Sequence, residues 1–164
     1  MGWLDARRCA PWLWLLTALF ALRVAAQPAA LVVNVTWLPP FDSWHGGVLP
    51  YPVLLLAQFA ILGWLAWTAR RFGSGRIEPS RRLGRASLRF GTVYFVVMLV
   101  RLVLGLSVLS HVRWFASPLP AFFHLVLASY VVLFGIVHLG AAASTVPSAG
   151  RTKDGVTSGM KAIG

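Results

Sequence analysis

Four long apolar stretches, separated by polar connectors, account for most of this 164-residue chain. The second stretch, from Tyr51 to Ala69, carries no charge and is close to the ~20 residues that a helix needs to cross a bilayer. Hydrophobic residues make up 58% of the chain, and the mean hydropathy of +0.73 is typical of a membrane protein. Lipid tolerates only helices or closed barrels, and these stretches lack the alternating pattern of barrel strands. We therefore predict an all-α polytopic membrane protein, a four-transmembrane-helix bundle.

The predicted spans cover residues 11–33, 51–69, 90–112 and 118–143, and together they make residues 1–143 one transmembrane domain. Residues 144–164 are rich in Ser, Thr, Gly and Lys, a composition that cannot bury a core. We expect this segment to be a disordered cytoplasmic tail.

The charged residues are distributed asymmetrically, and the formal net charge is +11. Seven arginines occupy the connector between the second and third spans, whereas the connectors on the other side carry only Asp42 and Arg113 as charged residues. The positive-inside rule predicts a multi-pass protein of a cell inner membrane with both termini cytoplasmic. No soluble basic domain is left over to bind nucleic acid, so the bilayer is the expected partner. The seven are Arg70, Arg71, Arg76, Arg81, Arg82, Arg85 and Arg89.

The start of the chain allows a second interpretation. Arg7 and Arg8, an apolar core and the small residues 24–26 together resemble a signal peptide with its cleavage site. Arg23 beside that site is unfavourable for cleavage, and the apolar run continues after Gln27. We therefore expect the first span to be retained.

A faint internal repeat relates the second span to the fourth and favours two similar helical hairpins. Arg23 corresponds to Arg101 at a slightly larger offset, which a shorter second loop explains. At a constant offset, Leu54, Leu56, Ala57 and Leu62 match Leu125, Leu127, Ala128 and Leu133.

Arg23 and Arg101 lie inside apolar stretches, where a charged side chain costs ~3 kcal/mol at the bilayer centre. Arg101 shares a helix face with Gly91, Tyr94 and other residues at three- and four-residue steps, so it is predicted to point into the bundle. Such a guanidinium could hold an anionic or carbonyl ligand, or an acid on a partner subunit. The alternative is an arginine that reaches toward the interface or is satisfied by backbone carbonyls. The predicted ligand-binding residues are Arg101, Tyr94, Arg23, Gln58 and Tyr130.

Arg23 has an alternative of its own. If the first span ends near residue 26, Arg23 lies at the interface, and Asp42 in the following connector could fold back to pair with it.

The histidines raise the possibility of a haem. His124 and His138 share a face of the fourth span, fourteen residues and about 21 Å apart, which resembles the helices of di-haem cytochromes b. His124 could find His111 or His45 as the second axial ligand, whereas His138 has no histidine in the other spans. Haem b is therefore the suggested cofactor, with His124, His138, His111 and His45 as candidate ligands and the arginines as partners for its propionates.

No soluble-enzyme motif is present, and four acidic residues are too few for paired-carboxylate catalysis or a hard-metal site. We predict a non-enzymatic accessory subunit or small-ligand-binding bundle organised around Arg101. The alternatives are a haem b or quinone-linked electron carrier, and a small transporter that works as an oligomer. In each case we expect a homo-oligomer or a place in a larger membrane complex.

Overall fold

The computed structural model describes residues 6–32, 50–108, 111–112 and 118–144. Each of its four long helices is apolar enough to cross a membrane. The predicted four-helix membrane bundle is confirmed. The helices are α1 (Ala6–Val32), α2 (Tyr51–Gly73), α3 (Arg81–Leu106) and α4 (Pro118–Ser144).

The helix ends differ from the predicted spans most clearly in α3, which begins nine residues before position 90 and ends six before position 112. Ser80 caps its first turn, and its side chain accepts a hydrogen bond from the Leu83 N–H at 3.3 Å. Arginine is a good helix former, so the arginine-rich segment forms the first turns of α3. Residues 145–164, the rest of the expected tail, lie outside the described residues.

Most of the arginines lie at one end of the bundle, which is called here the arginine-rich end. Its arginines include Arg7, Arg70, Arg71, Arg76, Arg81, Arg82, Arg85 and Arg89. Gly75 terminates α2 there with a φ of 68°, and the Arg76 N–H donates back to the Arg71 carbonyl at 3.1 Å. Arg81 donates from Nη2 to the Ala142 carbonyl near the end of α4 at 3.4 Å. Cations at a helix C-terminus oppose its partial negative charge, so these arginines also stabilise the helix ends.

The core lies around α4, which packs against both α1 and α3, while α2 packs on α1. Large side chains bridge α2 to α4, and the buried Tyr130 hydroxyl donates to the Leu65 carbonyl at 2.7 Å. Thr17 and Thr68 donate to carbonyls one turn earlier in their own helices. These bonds satisfy hydroxyl groups that would find no hydrogen-bond partner in lipid.

Glycines set the distance between α3 and α4. A Cβ on Gly135 would lie 2.7 Å from the Leu88 backbone nitrogen, and one on Gly91 would lie 2.9 Å from that of Val132. The two backbones are therefore in direct contact, as small residues permit in membrane helices. The other side of α3 is a surface of exposed valines, which suits contact with lipid: Val93, Val96, Val97, Val100 and Val103.

Candidate functional site

A polar layer crosses the bundle near the end opposite the arginine-rich end. Each helix contributes one residue to this layer. The residue lies five to nine positions from the helix terminus at the end of the bundle opposite the arginine-rich end. By the rise of an α-helix these positions lie roughly 8 to 14 Å along the helices. The four are Arg23 on α1, Gln58 on α2, Arg101 on α3 and His124 on α4.

Tyr94 reaches this polar layer from further along α3. Its hydroxyl lies 2.6 Å from Nδ1 of His124, and the two rings meet edge-on with centroids 6.0 Å apart. Phe90, one turn earlier, stacks on the Tyr94 ring at 5.8 Å. Tyrosine and histidine can each donate or accept in this bond, depending on the histidine tautomer. The pair therefore joins α3 to α4 through a polar contact in an apolar region.

Arg23 is the more deeply buried of the two intramembrane arginines, with 6% of its surface exposed. The α1 helix continues nine residues beyond it, and the apolar span within this helix runs to Ala29. Its guanidinium carbon lies 5.2 Å from the centre of the Phe123 ring, a cation–π contact. This contact fixes Arg23 beside the residue that precedes His124.

Arg101 is half-buried on α3, on the face that carries the buried Gly91 and the half-buried Tyr94. Arg23 contacts Phe123, which precedes His124, and Arg101 lies two turns along α3 from Tyr94, whose hydroxyl bonds His124. Two arginines from different helices therefore lie in the neighbourhood of one tyrosine–histidine pair. Together they offer donors in the forked geometry that suits carboxylate, phosphate or carbonyl oxygens.

The remaining predicted ligand-binding residues lie in different surroundings. Gln58 is 4% exposed, and neither its amide nitrogen nor its amide oxygen has a hydrogen-bond partner among the described residues. Tyr130 is fully buried in the core, where its hydroxyl is occupied by the Leu65 carbonyl. Gln58 lies seven residues from the start of α2, at a depth similar to that of the other residues of the polar layer, whereas Tyr130 joins α4 to α2.

The candidate haem ligands lie in different parts of the structure. His138 is buried at the arginine-rich end, with its ring 4.4 Å from that of Phe134 and 5.7 Å from that of Phe72. His111 lies exposed between α3 and α4, and His45 falls outside the described residues. Fourteen residues of α4 separate His124 from His138, about 21 Å of rise, so they cannot share one iron.

The sequence placed Tyr94 and Arg101 on one face of the third span and pointed to Arg23 and His124 separately. It did not show that these residues lie near one another. Phe123 was missed, because an aromatic residue in an apolar helix carries no signal of its own. Counting inward from the predicted span ends places Arg23 and Arg101 ten and eleven residues deep but His124 only six. Their similar depth depends on the observed helix ends, which the sequence did not provide. No protein-family model, curated protein or solved structure matches this chain, which leaves the chemistry of the polar layer as the guide to function.

Proposed function

We propose that this protein is a non-enzymatic membrane bundle that binds a carboxylate or similar oxyanion in its polar layer. The observation that carries the proposal is the placement of two arginines from different helices near the Tyr94–His124 bond. Arg23 contacts Phe123, and Arg101 lies on the Tyr94 face of α3. The anion belongs either to a small molecule or to an acidic side chain of a partner subunit. The protein is then a ligand-binding bundle in the first case and an accessory subunit in the second.

The charge of the described helices is compatible with a bound anion. None of the four described helices contains an acidic residue, so no helix supplies a carboxylate to the polar layer. Two like charges at one level of an apolar bundle are unfavourable, because the local dielectric is low and charges are costly there. A bound oxyanion would offset both the repulsion between the two arginines and the cost of placing their charges in an apolar region. Asp42 is the internal acid that could do the same, and it lies outside the described residues.

Co-purification tests this proposal. Native mass spectrometry of the full-length protein in mild detergent should find a bound small molecule or partner, which Arg101→Gln and Arg23→Gln each release. Arg89→Gln is the matched control, since it removes one exposed charge from the same helix as Arg101. Arg101→Lys should rescue poorly because lysine lacks the forked donors.

Two results would contradict the proposal. One is retention of every bound species by both the Arg101→Gln and the Arg23→Gln proteins. The other concerns the Asp42→Asn protein. If it releases the same species and loses as much stability as Arg23→Gln, Asp42 is the partner of Arg23.

The alternative function is a haem b or quinone-linked electron carrier, and the Tyr94–His124 bond is the observation that favours it. A histidine that ligates haem iron is typically held by a hydrogen bond at its other ring nitrogen, and here Nδ1 of His124 is so held. Arg23 and Arg101 would suit the propionates. The absorption spectrum of the purified protein tests the haem. A Soret band that His124→Ala abolishes supports haem, whereas a colourless protein excludes haem and is compatible only with the quinone.

A further inference from the structure

A second candidate site lies at the arginine-rich end, away from the polar layer. A groove opens between α2 and α3, with α4 as its floor, and encloses about 400 Å³. This volume falls within the range of ~300–1,000 Å³ that is usual for small-molecule sites. The segment that joins α2 to α3 forms one side of the mouth through residues 76–78.

The mouth of the groove is positively charged. Arg71 and Arg76 line it together with a single acid, Glu78. A shallower depression beside it shares both of these arginines and adds Arg70. The mouth therefore attracts an anion, at the end of the bundle where the arginines would meet lipid headgroups.

Arg71 is held in place at this mouth. Its guanidinium carbon lies 5.0 Å from the centre of the Trp67 ring, and its Nε donates to the Arg76 carbonyl at 3.2 Å. A guanidinium fixed by stacking and by one of its five donors presents the others in a defined direction. Such a pre-organised fork is well suited to phosphate oxygens.

The interior of the groove is aromatic and contains one polar atom in an unusual state. His138 lines the groove and is 5% exposed, and its Nδ1 has no hydrogen-bond partner within the described part of the chain. Phe72 and Phe134 pack on the ring and hold it there. Leaving a buried nitrogen unsatisfied is unfavourable, so this atom marks a position for a ligand oxygen.

The groove therefore changes character along its length, from cations at the mouth to the His138 ring and then to mainly apolar walls. From Arg71 to Trp64 it follows seven residues of α2, about 10 Å of helix rise. The same order of groups occurs in a phospholipid, from phosphate to ester to acyl chain. We propose that the groove binds one anionic phospholipid, with its phosphate at Arg71 and Arg76, an ester oxygen at His138, and an acyl chain along Trp64 and Phe134.

A quinone is the competing occupant, because its ring carbonyl could also accept from a histidine. It carries no anion, however, and would leave the charged mouth unused. The positive charge at Arg71 and Arg76 is therefore the reason to prefer the anionic lipid.

The test uses full-length protein reconstituted in nanodiscs of mixed phosphatidylglycerol and phosphatidylethanolamine, then released for native mass spectrometry. The Arg71→Gln/Arg76→Gln protein is compared with Arg82→Gln/Arg89→Gln, which removes the same charge from exposed positions on α3 outside the groove. All four arginines are exposed, so neither double variant should unfold the bundle.

The parent and the control should each retain one phosphatidylglycerol. The groove variant should bind it about 30-fold more weakly, from the loss of two arginine contacts with an anionic headgroup. His138→Phe should also weaken retention without lowering the melting temperature, since phenylalanine fills the space of the ring.

Equal retention of phosphatidylglycerol by the two double variants would overturn the proposal. So would equal retention of phosphatidylethanolamine and phosphatidylglycerol by the parent. An isoprenoid quinone that co-purifies with the parent and is lost in His138→Phe would replace the lipid with the competing occupant.

Discussion

The direct backbone contact between α3 and α4 gives the sharpest prediction, for Gly135→Ala. The added Cβ would lie 2.7 Å from the Leu88 nitrogen and 2.9 Å from the Gly84 oxygen, whereas ordinary contact begins at 3.4 Å. Both atoms are backbone and cannot rotate away, so α3 must move outward by about 0.7 Å. Overpacking of this kind costs about 1–3 kcal/mol in the free energy of unfolding, or roughly 2 to 12 °C in melting temperature for a chain of this size.

Gly63→Ala is the matched control, because Gly63 is exposed on α2 and has no atom within 4 Å of its added Cβ. Alanine is the better helix former by up to about 1 kcal/mol, and this gain applies at both positions. The difference between the two variants therefore isolates the clash. Melting curves in nanodiscs should place Gly135→Ala below the parent and Gly63→Ala at or above it. Equal melting temperatures for the two variants would refute the close approach of α3 and α4.

Three further predictions follow from single contacts and from the charge pattern. Tyr130→Phe should lower the free energy of unfolding by about 1 kcal/mol, since it removes the buried hydrogen bond to the Leu65 carbonyl; an unchanged melting curve would contradict this. Tyr94→Phe should shift the Nδ1 resonance of His124 in nitrogen-15 spectra, and a constant resonance would show that the two side chains are not bonded. Reporter fusions should read cytoplasmic after Gly75 and external after Ser117, as the positive-inside rule requires; the reverse pattern would invert the topology.

The fold was predictable because a bilayer imposes one strong constraint. Long apolar stretches must become helices, so the existence and number of the four helices followed from hydropathy alone. The helix ends were less predictable, since they depend on local hydrogen bonds. The cap at Ser80 starts α3 well before its apolar part begins, and the positive φ of Gly75 ends α2 beyond the predicted span.

The internal packing was predictable only in part. The placement of Gly91 on the face of Arg101 and Tyr94 anticipated the side of α3 that meets α4. Nothing in the sequence showed that α4 is the central helix, because all four helices are apolar on most sides. The packing of the α3–α4 hairpin is marked by direct backbone contacts at glycines. The internal repeat that would relate this hairpin to α1 and α2 stays a prediction.

The candidate site was likewise predictable only in part. Arg23 and Arg101 stood out in the sequence because a charge in lipid needs an explanation. Their placement near Tyr94 and His124 depends on how α1, α3 and α4 pack, which residue spacing within one helix cannot supply. The groove at Arg71 and His138 was not predicted, because its walls come from three helices and a connector that are apolar or arginine-rich for other reasons.

The central claim is that Arg23 and Arg101 share one oxyanion, and a double-mutant cycle tests it most directly. Melting temperatures are measured in nanodiscs for the parent, Arg23→Gln, Arg101→Gln and the double variant. With a shared anion, each single variant should melt below the parent, and the double variant should fall little further, because the first change already releases the anion. Without one, removal of either charge relieves repulsion between the two guanidiniums. Either single variant melting at or above the parent, or strictly additive losses in the double variant, would contradict the claim.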